Sequence, residues 1–174
     1  MTPNKPWDDK KEMITTALES GISYVLDLDD YDKIQKLGNV KIVANSDDAD
    51  IYLVGINGEG DGSLILSEDL NQSQDLQEAK KAKREGTTVC AYVEITDKNY
   101  EQLAVSLGSV ADYIILISTD WTVIPLENII ADLQKADVKI IAAVADEDGA
   151  KLAIETLEHG TDGVIFEAND FNQI

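Results

Sequence analysis

Short, nearly continuous apolar runs rich in β-branched residues recur along the chain, separated by amphipathic stretches. The runs cover residues 22–28 (ISYVLDL), 40–44 (VKIVA), 50–54 (DIYLV), 87–95 (TTVCAYVEI), 112–117 (DYIILI), 138–144 (VKIIAAV) and 163–166 (GVIF). They lack the in/out alternation of a half-solvated sheet, so each reads as a strand covered on both faces, as in a parallel sheet wrapped by helices. Helical periodicity fits 8–20, 30–36, 75–84, 99–107, 125–135 and 146–158, several of which open at Asp or Asn and stop at Gly, the expected cap chemistry. The class is α/β, built from repeated strand and helix units. The five residues 45–49 between two strand runs are too few for a parallel crossover, so one of those runs is expected to be an excursion or an antiparallel neighbour.

Two architectures fit, an open doubly wound sheet and a (β/α)8 TIM-barrel-like domain. A complete barrel takes roughly 250 residues and rarely fewer than about 200, so seven strands in 174 residues read as an incomplete barrel. The chain opens on a helix with no strand before it, and the expectation is a domain of a longer protein. Residues 55–73 (GINGEGDGSLILSEDLNQS) carry four glycines and read as a long mobile loop at a strand end, where α/β folds place their sites.

Charge narrows the partners. With 34 acidic against 14 basic side chains the net charge is −20, which opposes binding to nucleic acid and to anionic membranes. No apolar run reaches the eighteen or so residues of a membrane span, and the N-terminus carries no signal-like core, so a soluble cytoplasmic protein is expected. A single cysteine, Cys90, excludes an intrachain disulfide and a cysteine metal cluster; mid-strand among apolar neighbours it reads as core. The lone His159 precedes Gly160 at a helix end and reads as a cap.

No nucleotide fingerprint is present: Gly55, Gly58, Gly60 and Gly62 have the wrong spacing for a Rossmann turn, and no phosphate loop or metal motif occurs. The strand C-terminal ends offer more, since barrel enzymes set their catalytic groups there. They hold Asp27, Asp29 and Asp30, then Asn45 and Ser46, Glu94, the trio Thr119, Asp120 and Trp121, Asp146, and Glu167. Asp30 and Asp146 also read as caps of the helices that follow. No Lys or Arg stands at any of these ends, so the rim suits an amine or a metal better than a carboxylate or phosphate. In the segment 118–128 (STDWTVIPLEN), Trp121 offers a flat wall, Asp120 a base or acceptor, and Pro125 opens a helix whose first turn carries Glu127 and Asn128.

The stretches Thr15-Thr-Ala-Leu-Glu-Ser-Gly21, Lys36-Leu-Gly-Asn-Val-Lys-Ile-Val43, Ala49-Asp-Ile-Tyr-Leu-Val-Gly55, Ala91-Tyr-Val-Glu-Ile95, Thr119-Asp-Trp-Thr-Val-Ile-Pro-Leu-Glu-Asn128 and Gly160-Thr-Asp-Gly-Val164 together resemble the N-terminal half of the archaeal-type (class II) 3-dehydroquinate synthases. The resemblance implies conversion of 2-amino-3,7-dideoxy-D-threo-hept-6-ulosonate to 3-dehydroquinate by NAD-dependent oxidative deamination and cyclisation, in aromatic amino-acid biosynthesis. It implies an N-terminal barrel domain over 1–174 lacking the first strand of the family, and a C-terminal β-rich domain absent from this chain. An enzyme forming 3-amino-4-hydroxybenzoate shares the motifs and stays open, as does a truncated, non-catalytic barrel. From position, Asp120, Glu94 and Glu127 are the expected acid/base groups. Trp121, Thr119, Asn128, Asp27, Glu167, Gly58, Gly60 and Gly62 are the expected binding positions for the amino-sugar-acid substrate and NAD, with no metal. An exposed barrel flank would also favour a homo-oligomer.

Overall fold

The computed structural model describes residues 5–118, 126–144, 161–168 and 174. Seven strands form one sheet in the order of the sequence: β1 (Tyr24–Leu26), β2 (Lys41–Ala44), β3 (Ile51–Val54), β4 (Val89–Glu94), β5 (Tyr113–Ile117), β6 (Lys139–Val144) and β7 (Gly163–Phe166). Every neighbouring pair is parallel. Sequential order with no switch point rules out the doubly wound alternative. Tyr24 on β1 and Tyr113 on β5 line one cavity together with Ile165 on β7 although four strand positions separate β1 from β5, so the sheet curls into a half-barrel.

Alternate residues divide the apolar runs between two sides. Leu26, Val43, Leu53, Cys90, Tyr92 and Ile115 meet inside the curl. Val89, Ala91, Val93, Ile114 and Leu116 face outward and pack on Leu76, Leu103, Leu107, Ile129 and Leu133, which belong to α3 (Gln74–Arg84), α4 (Lys98–Gly108) and α5 (Leu126–Leu133). A second outer cluster joins Val25 and Ile42 to Ile14 of α1 (Trp7–Glu19) and Ile34 of α2 (Tyr31–Ile34). Burial on both faces explains the missing alternation, and each fully buried Leu or Ile contributes about 2 kcal/mol. Cys90 is buried as expected, and its apolar surroundings push the thiol up to about 12. No helix among the described residues is long and apolar enough to cross a membrane.

The expected excursion at 45–49 does not occur, because β2 and β3 are parallel neighbours. The reason is stagger. Val43 lies opposite Ile51 and Ala44 opposite Tyr52, so β3 begins at the level where β2 ends and the connection steps sideways without returning. Such offsets accumulate into the tilt that curls a sheet. The Asp50 carboxylate completes the step by accepting the Ile42 N–H at 2.9 Å. Asp112 and Asp162, each also just before a strand, likewise accept the N–H groups of Val89 and Ile140, both at 2.8 Å.

Candidate active site at the strand C-terminal ends

Glu94 closes β4, two residues after Tyr92, so both side chains lie on the inner face of the sheet. The Tyr92 hydroxyl donates to Glu94 Oε1 at 3.1 Å. Burial raises the pKa of this phenol, and the negative charges of Glu94, Asp61 and Glu167 raise it further. The charges of Glu94 and Glu167 thus both bear on the same buried hydroxyl. Tyr100 of α4 stands at the same end, held protonated by burial and by the charges of Asp97, Glu59, Asp61 and Glu94.

The glycine-rich segment is wound tightly, contrary to the mobile loop expected. Gly60 continues the sheet by accepting the Glu94 N–H at 2.8 Å, while Asp61 N–H returns to the Gly55 carbonyl at 2.9 Å. A β-carbon on Gly60 would stand 2.1 Å from the Tyr92 carbonyl oxygen, and Gly55 adopts φ +107° against the same oxygen. The close approach that these glycines permit is to the chain's own backbone; at Gly58 a β-carbon would strike the Asp75 carboxylate. Two buried carboxylates anchor the turn. Glu59 accepts the N–H of Ser67 at 2.9 Å and its hydroxyl at 2.7 Å, and also the Ser73 hydroxyl. Asp75 accepts the Gly60 N–H at 2.7 Å. Burial works against ionisation of Glu59, but the serine hydrogen bonds outweigh it and hold its pKa low. Asp75, with fewer donors and Glu59 beside it, is pushed up, chiefly by burial. Glycine content shows a need for conformational freedom, not the hydrogen bonds that order the turn. Asp61, at the turn's end, receives the N–H groups of Asn57 and Ser63 at 2.7 and 2.9 Å.

At the end of β1 the sequence expectation of a rim without cations is corrected. Lys10, one helical turn into α1 and 3% exposed, places its ammonium 3.0 Å from both Asp27 Oδ2 and Asp30 Oδ2. Asp27 Oδ1 accepts the N–H groups of Asp29 and Asp30 at 2.9 and 2.6 Å. Burial lowers the lysine's affinity for its proton, yet the hydrogen bonds and charges of Asp27 and Asp30 more than compensate, and its pKa is raised. Asp30 is held low by the Lys33 ammonium at 2.6 Å and then by Lys10. The signal was present: Lys10 shares the apolar stripe of α1 with Met13, Ile14 and Ala17, and a lysine there requires a carboxylate partner.

The whole chain, residues 1–174, matches the family described as 3-dehydroquinate synthase II N-terminal domain. The chain belongs to this family. It is 99% identical over 174 residues to the 3-dehydroquinate synthase of Methanobrevibacter smithii, covering all of this chain and 47% of that protein. It is 55% identical over 174 residues to the enzyme of the same name from Methanothermobacter thermautotrophicus, covering 46% of it. With the Methanococcoides burtonii protein of that name it shares 49% over 173 residues, 97% of this chain and 46% of the relative. The chain therefore spans less than half the length of these synthases.

Within the synthase family match, the positions expected from sequence distribute as follows. Glu94 hydrogen-bonds Tyr92 on the inner face and the charges of Glu167 and Asp61 bear on the same hydroxyl, whereas Tyr100 packs against the outer apolar cluster; Tyr92, Asp61 and Tyr100 are not singled out from sequence. Asp27 is fully buried in its ion pair with Lys10. Glu127 and Asn128 lie exposed on the first turn of α5. Thr119, Asp120 and Trp121, with Asp146 and His159, fall outside the described residues. Tyr92 was legible in principle, because it precedes Glu94 by two on the strand and must share its face.

Proposed function

We propose that this chain is the barrel-like, N-terminal portion of a cytoplasmic enzyme that converts 2-amino-3,7-dideoxy-D-threo-hept-6-ulosonate to 3-dehydroquinate, by oxidative deamination with NAD followed by cyclisation. The observation that carries this reading is the match to the synthase family over all 174 residues; the curated relatives bear the 3-dehydroquinate synthase name, which favours it over aminohydroxybenzoate formation. The site chemistry agrees with an amine substrate. Carboxylates of Glu94, Asp61 and Glu167 around one mouth attract a protonated amine, and a charge-assisted hydrogen bond to Glu94 would orient it. Once the amine is bound, Glu94 is the group placed to take a proton from nitrogen, and the Tyr92 hydroxyl, already donating to Glu94, steadies the carboxylate. Asp120 is proposed as an amine or hydroxyl ligand and candidate base, Trp121 as a wall for the substrate or nicotinamide, and Glu127 as the alternative to Glu94 as second acid/base group.

The 55–62 turn does not fit the pyrophosphate of a dinucleotide. The glycines of the 55–62 turn close onto Tyr92 and the carboxylate of Asp75, and Glu59 lies beneath them, so an anion there meets negative charge and no free amide cradle. No step through the cofactor is therefore assigned to this turn. The test is Glu94→Gln in the full-length enzyme, assayed by NADH appearance with the amino-heptulosonate. Loss of an acid/base group lowers kcat/KM by about 100-fold or more, and a variant retaining half the activity overturns the role of Glu94.

A further inference from the structure

The backbone of Glu94 is held by residues that lie outside the sheet. β3 ends at Val54, opposite Ala91, so Tyr92, Val93 and Glu94 run past the strand that pairs the rest of β4 on that side. The Ile95 N–H turns to Ile117 of β5, and by the alternation of a parallel ladder the Glu94 N–H faces the side that β3 has left. There the Gly60 carbonyl receives it at 2.8 Å. Two constraints in turn hold Gly60. A β-carbon on it would run into the Tyr92 carbonyl, and its N–H is received by Asp75 Oδ2 at 2.7 Å. Asp75 is 3% exposed and rides on the first turn of α3, whose Leu76 and Ala79 pack with Val54, Val89 and Ala91 in the outer cluster. Two successive hydrogen bonds thereby tie a helix on the outer face to the end of β4.

We propose that Asp75 is a positioning residue for Glu94, setting through Gly60 where the Glu94 carboxylate and the Tyr92 hydroxyl bonded to it stand; this rests on the acid/base role proposed for Glu94. A carboxylate is a costly acceptor to place here. Burial first, then the charges of Glu59 and Glu78, push its pKa up against the pull of the Gly60 N–H, so the fold alone would be better served by a neutral group. Helix capping does not account for it either, because Ser73 already receives the Leu76 N–H at the start of α3. Glu59, the other buried carboxylate of the turn, is engaged with the hydroxyls of Ser67 and Ser73. What Asp75 adds is a strong, charge-assisted bond to the one residue that receives the Glu94 amide. Groups held at a cost to stability concentrate where they locate reacting atoms, and a general base tolerates little displacement.

The test uses the full-length enzyme and the NADH assay. Asp75→Ala is expected to lower kcat/KM by about 10-fold or more, and Asp75→Asn, which keeps an acceptor of the same shape, to stand at least about threefold above the Ala variant. In the Glu94→Gln background Asp75→Ala is expected to add less than about twofold, because residues that act through one group are not additive. Hydrogen exchange reads the same link without turnover: the Glu94 amide is expected to exchange at least about 10-fold faster in Asp75→Ala. If the Ala variant does not fold, Asp75→Glu, which keeps the charge and moves the oxygens by one methylene, replaces it with the same expected losses. Undiminished activity in the variant, an equal loss in both backgrounds, no recovery in Asp75→Asn, or unchanged exchange at Glu94 overturns the proposal. An active Glu94→Gln enzyme strikes the reading beneath it instead, so the two failures are told apart.

Discussion

Lys10 has almost no water around it and two carboxylates within 3.0 Å, so its value to the fold lies in what its removal would strand. Lys10→Met keeps the volume and the apolar contacts with α1 but leaves Asp27 buried without its cation. Breaking one side of a buried pair costs about 3 kcal/mol or more, whereas Lys10→Met with Asp27→Asn removes both charges and should recover most of that loss. Urea unfolding of the three variants checks this, and equal destabilisation of single and double variants would show that packing, not charge, dominates. The pH dependence has a definite sign. Lys10 has a raised pKa, so its contribution is complete below the unfolded lysine value of about 10.4 and is lost as pH rises through the folded value. Asp30 and Glu59 have lowered values, so theirs is present above the unfolded carboxylate values of about 4 and is lost as pH falls through the folded ones. Asp75, with a raised value, acts oppositely, and its ionisation with rising pH weakens the fold. Strand ends display in sequence only the cations of their own strands and loops, and this cation arrives from a helix seventeen residues earlier.

At the scale of elements, all seven strands were legible because a parallel strand covered on both faces must be apolar at successive positions, and no other short element has that need. The relation between strands was less legible. The β2–β3 connection looked too short only on the assumption that parallel neighbours start level, and stagger is a property of the pair that neither run displays alone. The order of the 55–62 turn is hidden for a similar reason: it comes from Glu59 and Asp75, the latter in the helix that follows, and composition counts glycines without their partners. One device is legible in the sequence, an Asp directly before β3, β5 and β7, in Ala49-Asp50-Ile51, Ala111-Asp112-Tyr113 and Thr161-Asp162-Gly163. Asp112 shows what it does, since its Oδ2 receives the N–H of Val89, a residue with no exposed surface. Asp112→Ala leaves that donor unsatisfied at a cost of about 1–3 kcal/mol, and faster hydrogen exchange at the Val89 amide is its local signature. Asp112→Asn retains an acceptor and should keep most of the stability. The partner contact to Lys83 at 2.6 Å is about a third exposed on each side and contributes little, so Lys83→Ala should be nearly silent; a large effect there would reverse the attribution.

Among the described residues, the cations near the strand C-terminal ends are already paired, Lys33 with Asp30 at 2.6 Å among them. Lys10 is spent on Asp27 and Asp30, and Lys98 lies exposed on α4 beside Glu101 at 2.9 Å. Lys41 and Lys139 open β2 and β6, at the opposite end of the sheet, each over a tyrosine ring at 5.7 and 5.8 Å. The charges of Glu94, Asp61 and Glu167 all bear on the buried Tyr92 hydroxyl, an arrangement suited to an ammonium group and adverse to a carboxylate. Under the proposed reaction, a substrate bearing both charges needs a cation that the described residues do not place there, and the part of the relatives outside the match is the proposed source. The expected outcome is that the 174-residue chain alone turns over the amino-heptulosonate at a negligible rate, while the full-length enzyme is active under the same conditions. Following NADH for both at matched high salt, where the Debye length falls to about 3 Å at 1 M, screens the net charge of −20 equally in the two assays. Full activity in the shorter chain would mean that one of its own lysines, most directly Lys98 at the start of α4, reaches the substrate carboxylate after all.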